Sequence, residues 1–249
     1  MNNQELKNTY NSMHLEGSSA WFSNGEEERE LILKMGEPWK YKHCLEIGCG
    51  EGDLGMEILD RSGSDYVGID YSEIAINKAL TKYGTAHDFI AMDYHDLKSK
   101  FDRIVMQGVL EHLDDPFTEL KWMMDNLLTE KGDVITSSPC FLNPRGIVWM
   151  TLGIMFGAVM SKTDLHFLNP SDFSTFCQNN NYRYFWDTCD FDWSNGERMI
   201  QDLTKRIPLA LRDGKIPFSQ DKVDHFIRWL EEDHFCTNYG ATAVYKITK

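Results

Sequence analysis

Residues 45–52 read Leu-Glu-Ile-Gly-Cys-Gly-Glu-Gly. The apolar run 43–47 stops at glycines, and residues 53–60 beyond them can form a helix. Glycines at such a junction let the backbone turn sharply and let a ligand approach with no side chain in the way. The neighbouring segments repeat the same alternation of strand and helix. Residues 66–69 form a second short β run that ends at Asp70. Residues 72–83 predict a helix, with Ser72 as N-cap and Ile74, Ala75, Ala79 and Leu80 on one face. Residues 87–91 and 101–106 predict two more strands, and 116–128 a helix opened by Asp114 or Asp115 before Pro116. A fifth strand, 133–137, follows a Lys131-Gly132 turn. Strands alternating with helices in this way imply right-handed crossovers and a parallel sheet.

Beyond residue 139 the spacing loosens. Residues 172–178 predict a helix after Asn169-Pro170-Ser171, 182–190 an aromatic-rich strand, 194–232 mostly helix, and 241–248 a final strand. No linker, repeat or low-complexity stretch divides the chain. The expected architecture is one α/β domain over 1–249, with a Rossmann-like, seven-stranded, mostly parallel sheet, an antiparallel last strand and helices on both faces. Its parts are an N-terminal cap (1–40), a ligand-binding core (41–139), helical cap insertions (140–168 and 191–240), and segments that complete the sheet (169–190 and 241–249). Within the N-terminal cap, an amphipathic helix over 26–35 is expected to buttress the first strand.

Composition narrows the partners. The chain has 249 residues and a formal charge of −14, which repels a phosphate backbone and argues against general nucleic-acid binding. Its 42% apolar and 26% charged residues are ordinary for a folded domain. The N-terminal MNNQELKNTY lacks a basic-then-apolar signal pattern. The six cysteines, at 44, 49, 140, 177, 189 and 236, show no metal-like spacing. Both features point to reduced thiols in a cytoplasmic protein that holds no metal. One stretch, 146–160, has 15 residues without a charge, short of the roughly 20 that span a bilayer. It reads as a buried helix, a lid over a pocket or a homodimer contact, with a membrane-facing role disfavoured.

Two kinds of ligand use a strand–glycine–helix turn, a dinucleotide and an adenosyl group. The dinucleotide pattern GxGxxG requires a third glycine where Asp53 stands. Glu46, Glu51 and Asp53 also surround the turn with negative charge, which suits a cationic ligand better than a pyrophosphate. LEIGCGEG followed by VGID at 67–70 is similar to the motif pair of class I S-adenosylmethionine-dependent methyltransferases. The resemblance covers roughly residues 40–140. Ala91-Met92-Asp93-Tyr94, Gln107-Gly108-Val109-Leu110-Glu111-His112-Leu113 and the glycine-led strand at 131–135 resemble later motifs in the same order. The resemblance implies S-adenosylmethionine as cofactor and S-adenosylhomocysteine as product. It places Gly48, Cys49, Gly50 and Gly52 at the cofactor, with Glu46 toward the methionyl ammonium, Asp70 and Tyr71 at the ribose, Met92, Asp93 and Tyr94 around the adenine, and Gln107 and Gly108 alongside.

The expected activity is methyl transfer to a small polar metabolite, with an oxygen such as a sugar hydroxyl preferred to nitrogen. A hydroxyl acceptor gains from a base that takes its proton. His166, where the first insertion returns to the sheet, is the first candidate and His112 the second, with His14 and Asp164 behind them. Tyr10, His14, Trp21, Asn143 and Trp193 are candidates to cover the acceptor. The competing classes are a small-molecule N-methyltransferase, a nicotinamide-dependent oxidoreductase and a non-catalytic cofactor-binding module that docks a partner through 146–160.

Overall fold

The protein is described here from a computed structural model, over residues 25–248 without 63–64, 86–87, 159–160, 162 and 233–239. Its sheet has seven strands: β1 (Cys44–Ile47), β2 (Tyr66–Asp70), β3 (Asp88–Ala91), β4 (Phe101–Gln107), β5 (Leu128–Pro139), β6 (Arg183–Cys189) and β7 (Thr242–Thr248). The spatial order is β3-β2-β1-β4-β5-β7-β6. β1 to β5 pair in parallel, and β7 runs antiparallel between β5 and β6. The expected fold class is the observed one. The order reverses between β1 and β4, and in open α/β sheets ligands bind at such a switch, outside the carboxyl ends of the strands.

The helices begin where local chemistry directs. Helix α1 spans Glu26–Gly36, α2 Asp53–Ser62, α3 Glu73–Tyr83 and α4 Pro116–Asn126. Ser72 caps α3 by accepting from the Ala75 amide, and Asp115 caps α4 by accepting from Thr118 with Pro116 behind it. Among the described residues, helices α5 (Pro144–Phe156), α6 (Pro170–Asn180), α7 (Phe191–Asn195), α8 (Glu197–Asp213) and α9 (Gln220–Glu232) follow.

Two expectations change. β5 starts at Leu128, and its register jumps from Phe101↔Leu128 to Arg103↔Asp133. A bulge therefore stands where a Lys131-Gly132 turn was expected. Helix α1 packs chiefly against β5, β6 and β7 rather than against β1. Buried Arg103 fixes this placement. It donates to both carboxylate oxygens of Asp133, at 2.6 and 2.8 Å, and to the Gly36 carbonyl at the end of α1. The Trp39 ring stacks 4.5 Å from its guanidinium.

Two apolar cores flank the sheet. One is built on Leu45, Ile104, Leu120, Phe173 and Tyr245, the other on Ile32, Leu33, Trp39, Ile58 and Val105. A third lies off the sheet, where Trp149 of α5 packs with Met199, Leu203, Ile207, Val223 and Ile227 of α8 and α9. The 146–160 run is thus half resolved into roles. Gly146 and Trp149 of α5 are buried, whereas Ile147, Ile154, Met155 and Phe156 are exposed. The helix stops at Gly157, which takes a left-handed C-cap. Among the described residues no helix is long and apolar enough to cross a membrane.

Candidate active site

A cleft of about 1290 Å³ opens at the carboxyl ends of the strands. That volume exceeds the roughly 300–1,000 Å³ common for one small ligand, so there is room for a cofactor and an acceptor together. The glycine loop after β1 forms its floor. Gly48, Gly50 and Gly52 have φ of 73°, 53° and 86°, the left-handed region that favours glycine. A Cβ on Gly52 would lie 2.6 Å from the Phe89 ring, whereas one on Gly50 would meet nothing within 4 Å. Gly52 is therefore demanded by packing, and Gly50 opens the backbone to the cleft.

The amides of this loop are already committed. Gly48 and Cys49 both donate to the Ile69 carbonyl, Gly52 donates to Cys49, and Gly50 donates to Asp70 Oδ2 at 3.0 Å. A pyrophosphate needs such amides pointed at it, so the loop fits a dinucleotide poorly. The wall offers acceptors instead. Asp70 takes the Gly50 amide on one oxygen and the Ser72 amide, at 2.7 Å, on the other. Asp93, half exposed, accepts from the His95 amide and ring at 2.9 and 2.8 Å. Glu46 is buried and accepts from the Tyr66 hydroxyl at 2.5 Å. Burial pushes its carboxyl up to about 8, against the pull of that hydrogen bond, and the nearby Asp70 charge adds to the rise. A cofactor with an ammonium, two ribose hydroxyls and an adenine amino group presents donors to these three acids. The residues present thus fit S-adenosylmethionine.

Two acids expected to leave the loop bare and negative are compensated. Glu51 pairs with Lys78 at 2.9 Å, and Asp53 with Lys82 at 2.5 Å and with the Tyr83 hydroxyl. The loop is less negative than its sequence suggests. Gly48, Cys49, Gly50, Asp70, Tyr71, Met92, Asp93, Tyr94, Gln107 and Gly108 all line the cleft with Glu46, whereas Gly52, also expected at the cofactor, is not among its walls and packs on the Phe89 ring.

The two histidines part company. His112 lines the cleft and His166 is absent from its walls. His166 instead binds the Asp114 carbonyl through Nε2 at 3.2 Å. The backbone of Leu165 and His166 is tied to the Glu111 carbonyl, which turns the His166 ring toward the β4–α4 loop. Of the two candidates made from the sequence, the fold brings His112 and not His166 to the cleft. His112 Nδ1 lies 2.9 Å from the Thr163 carbonyl and 3.5 Å from Asp164 Oδ1. A carbonyl only accepts, so Nδ1 carries the proton and the lone pair of the neutral ring sits on Nε2.

Of the acceptor candidates, Trp193 lines the cleft. Asn143 is buried and consumed by structure: it caps α5 through the Gly146 amide and donates to the Cys140 and Gly240 carbonyls. Tyr10, His14 and Trp21 lie outside the described residues. The sequence reading missed Glu28 of α1, which accepts from Gln107 at 2.8 Å inside the cleft, and Asp190, at φ 56° where β6 ends. It also left Glu111 without a role. Glu111 is 3% exposed, with an Oε2 that has no hydrogen-bond partner. Burial, then the Asp164 charge, holds its carboxyl well above the usual range. No local pattern marks Glu28, because long-range folding brings it to the cleft, whereas Glu111 stands inside the 107–113 motif.

The comparisons with known proteins agree with this geometry. Residues 45–134 match the family model of a methyltransferase domain. Ubiquinone biosynthesis O-methyltransferase of Pseudomonas aeruginosa is 24% identical over 144 residues, which cover 53% of this chain and 60% of that protein. The chain spans 50–60% of the length of the O-methyltransferase relatives it matches. A crystal structure from Thermotoga maritima, described as a methyltransferase and possible histamine N-methyltransferase, superposes with a TM-score of 0.62 at 16% identity. It covers 96% of this chain and 98% of that one. A cyclopropane-fatty-acyl-phospholipid synthase-like protein from Lactobacillus casei gives 0.60 at 18% identity, over 90% and 91% of the two chains. The chain has the class I methyltransferase fold. Residues 45–134 are its S-adenosylmethionine-dependent methyltransferase domain, as the motif pair implied.

Proposed function

We propose that the whole chain methylates an oxygen of a small polar molecule, with His112 as the group that takes the proton. The observation that carries this reading is the His112–Thr163–Asp164 contact at the cleft wall. S-Adenosylmethionine, when bound, supplies an electrophilic methyl carbon on a cationic sulfur. Thr163 fixes the ring tautomer, so His112 Nε2 is the basic atom. Nε2 would take the proton of the acceptor hydroxyl as that oxygen is methylated. The resulting imidazolium is stabilised by Asp164. The walls from α5, α7 and α8 surround the acceptor and limit competition from water. The name of the Pseudomonas relative, an O-methyltransferase, supports the same acceptor atom.

An amine acceptor is the second reading. It is favoured by Glu111, a cleft residue with a buried oxygen that has no hydrogen-bond partner and could hold an N–H in place.

Calorimetry with S-adenosylmethionine and with NADH separates the enzyme classes, and binding of NADH alone would reject this one. Release of S-adenosylhomocysteine over a panel of hydroxylated and amino acceptors then tests the base. His112→Gln is expected to lower turnover about 10²–10⁴-fold with cofactor affinity intact, while His166→Gln leaves turnover unchanged. Full turnover in His112→Gln removes the residue from the mechanism.

A further inference from the structure

The cap wall of the cleft settles its charge by pairing. Arg145 of α5 and Arg206 of α8 both donate to Asp202, at 2.9 and 3.2 Å, and Arg198 pairs with Asp192 at 3.4 Å. The corner where α1, the 107–113 segment and the end of β6 meet is different. Glu28, Glu111 and Asp190 come to it from three distant parts of the chain, and all three line the cleft. Gln107 donates to Glu28 at 2.8 Å. The next residue, Gly108, lies against Glu111: a Cβ there would be 3.5 Å from Oε1. The Asp190 amide donates to Glu27 at 2.9 Å, which ties the end of β6 to α1.

Glu111 is the incompletely paired member. Its own amide hydrogen-bonds to the carboxyl. Its Oε2 has no partner among the described residues, and the residue is 3% exposed, a costly state for an acceptor. The charges that act on it, from Asp164 and Glu28, are both negative. Asp164 itself faces His112 at 3.5 Å and acts on Arg145. Two cations reach the other acids, Arg29 at Glu28 and Arg198 at Asp190. Each acts more weakly than a neighbouring acid does, Asp190 on Glu28 and Glu27 on Asp190. Arg29 and Arg198 are also paired elsewhere, with Glu57 and Asp192. Burial pushes all three carboxyls up from the usual range, against hydrogen bonds from Ser137 and Gln107 to Glu28 and from Thr242 and Cys189 to Asp190.

A ligand that brings N–H donors and positive charge satisfies such a corner. Among the described residues no cluster of acids, histidines or cysteines is placed to hold a metal ion, so the cation that fits is organic. An ammonium offers three donors. Glu46, the acid expected at the cofactor's own ammonium, belongs to a separate group, because the charges that act on it come from Asp70, Asp53 and Arg29.

We propose that Glu28, Glu111 and Asp190 form a subsite for a protonated amine, and that the acceptor carries an amino group which anchors it there while its hydroxyl faces the cofactor. An ammonium has no lone pair, so the anchored nitrogen is not the atom methylated. The proposal rests on the oxygen-methylation reading for the hydroxyl, and on the acids alone for the amine.

The test uses the full chain saturated with S-adenosylhomocysteine, whose own ammonium fills the cofactor's place. Ethanolamine is titrated against ethylene glycol and glucosamine against glucose, at constant ionic strength, by calorimetry in two buffers of different ionisation enthalpy. At least one amine should saturate, about tenfold or more tighter than its neutral counterpart. Its binding should release protons, because a cation favours the ionised carboxyl. Its dissociation constant should rise about tenfold in Glu111→Gln and severalfold in Glu28→Gln, the scale of a lost charge-assisted hydrogen bond, with less proton release. Both variants keep the shape of the side chain, unchanged S-adenosylhomocysteine affinity verifies their fold, and the comparison of amine with alcohol needs no variant. Equal binding of amine and alcohol, equal binding by wild type and variants, or an amine displaced whenever S-adenosylhomocysteine is present would each overturn the subsite. A variant that folds, by its far-UV spectrum, yet loses S-adenosylhomocysteine assigns its acid to the cofactor and overturns it too. Repeating the titration without S-adenosylhomocysteine separates the two readings. If that ligand fails to bind but the amine still depends on Glu111 and Glu28, the methyltransferase reading falls and the subsite stands. Full turnover in His112→Gln likewise removes the base and leaves the amine subsite standing.

Discussion

The two walls of the cleft are made in different ways. On the glycine-loop wall, charge is settled by near neighbours on the first strands and helices: Glu51 with Lys78, Asp53 with Lys82, Asp70 with the Gly50 and Ser72 amides. On the cap wall, Arg145 meets Asp202 across 57 residues of chain, and the helices around them have an apolar core separate from the two that flank the sheet. The first wall follows rules of the β–loop–α unit, and the family model matches it. The second lies beyond residues 45–134. The loop wall therefore belongs to the part shared with other methyltransferase domains, and the cap wall to the part outside that match.

The sharpest way to break this division is to damage the cap core alone. Trp149 is 1% exposed within it. Trp149→Ala should cost about 3–5 kcal/mol, by lost burial and a residual cavity. Hydrogen exchange should speed up across α8 and α9 while β1 to β4 stay protected, and S-adenosylhomocysteine affinity should hold within about threefold. Equal loss of protection through the sheet would show that cap and core are one cooperative unit.

Glu46 offers the converse probe, confined to the loop wall. Its folded carboxyl titrates near 8 instead of near 4.5. The folded state thus binds a proton that the unfolded chain releases. The contribution is fully present below about pH 4.5, falls by about 1.4 kcal/mol per pH unit as pH rises toward 8, and is lost above it. Glu46→Gln should remove that slope, leaving the variant more stable than wild type by a few kcal/mol at pH 8.5 and equal to it near pH 4.5. Urea titrations across this range read the difference, and parallel curves for the two proteins would show that Glu46 is ionised in the folded state. An ammonium beside Glu46 favours its charged form. Cofactor binding near pH 7 should accordingly release a proton in the wild type and none in Glu46→Gln.

These probes also mark how far the sequence could be read. The strand–glycine–helix spacing, the acid ending β2, and the Ser72 and Asp115 caps are local patterns, and each lies where the pattern placed it. His166 was preferred to His112 because it stands at the return from an insertion. Which side of the chain it turns to depends on Leu165 and His166 bonding the Glu111 backbone, a contact across some fifty positions that carries no periodicity. Glu28, Asp190 and the Arg145–Asp202–Arg206 trio were invisible for the same reason. Asn143, named as a candidate to cover the acceptor, is instead held in place by its own cap to Gly146, a local signal that the reading overlooked.

Asp70 tests the loop wall at a smaller magnitude. Asp70→Ala should weaken S-adenosylmethionine binding by about 1–3 kcal/mol, the scale of hydrogen bonds to a buried ligand. The same change also strips the Gly50 and Ser72 amides of their acceptor. Asp70→Asn keeps one acceptor oxygen for those amides and so separates loop support from ribose contact. If Asn restores stability but not affinity, the carboxylate serves the ligand directly. If it restores both, Asp70 acts through the loop.

The smallest effect is expected on the outer face of α5, and it bears most on the cap. Ile154 and Met155 are 73% and 69% exposed, on the helix whose other face holds Trp149 in the cap core. An exposed side chain contributes little burial to the folded monomer, so Ile154→Ser and Met155→Ser should each change its stability by about 0.5 kcal/mol or less. A face engaged by a second copy responds differently, because the folded dimer loses buried area and its stability depends on protein concentration. Measuring the urea midpoint of wild type and both variants over a hundredfold range of concentration distinguishes the cases. Coincident, concentration-independent midpoints assign α5 to the cap alone. A wild-type midpoint that climbs with concentration and flattens in the variants gives the same helix two faces with separate work, one closing the acceptor site and the other joining subunits.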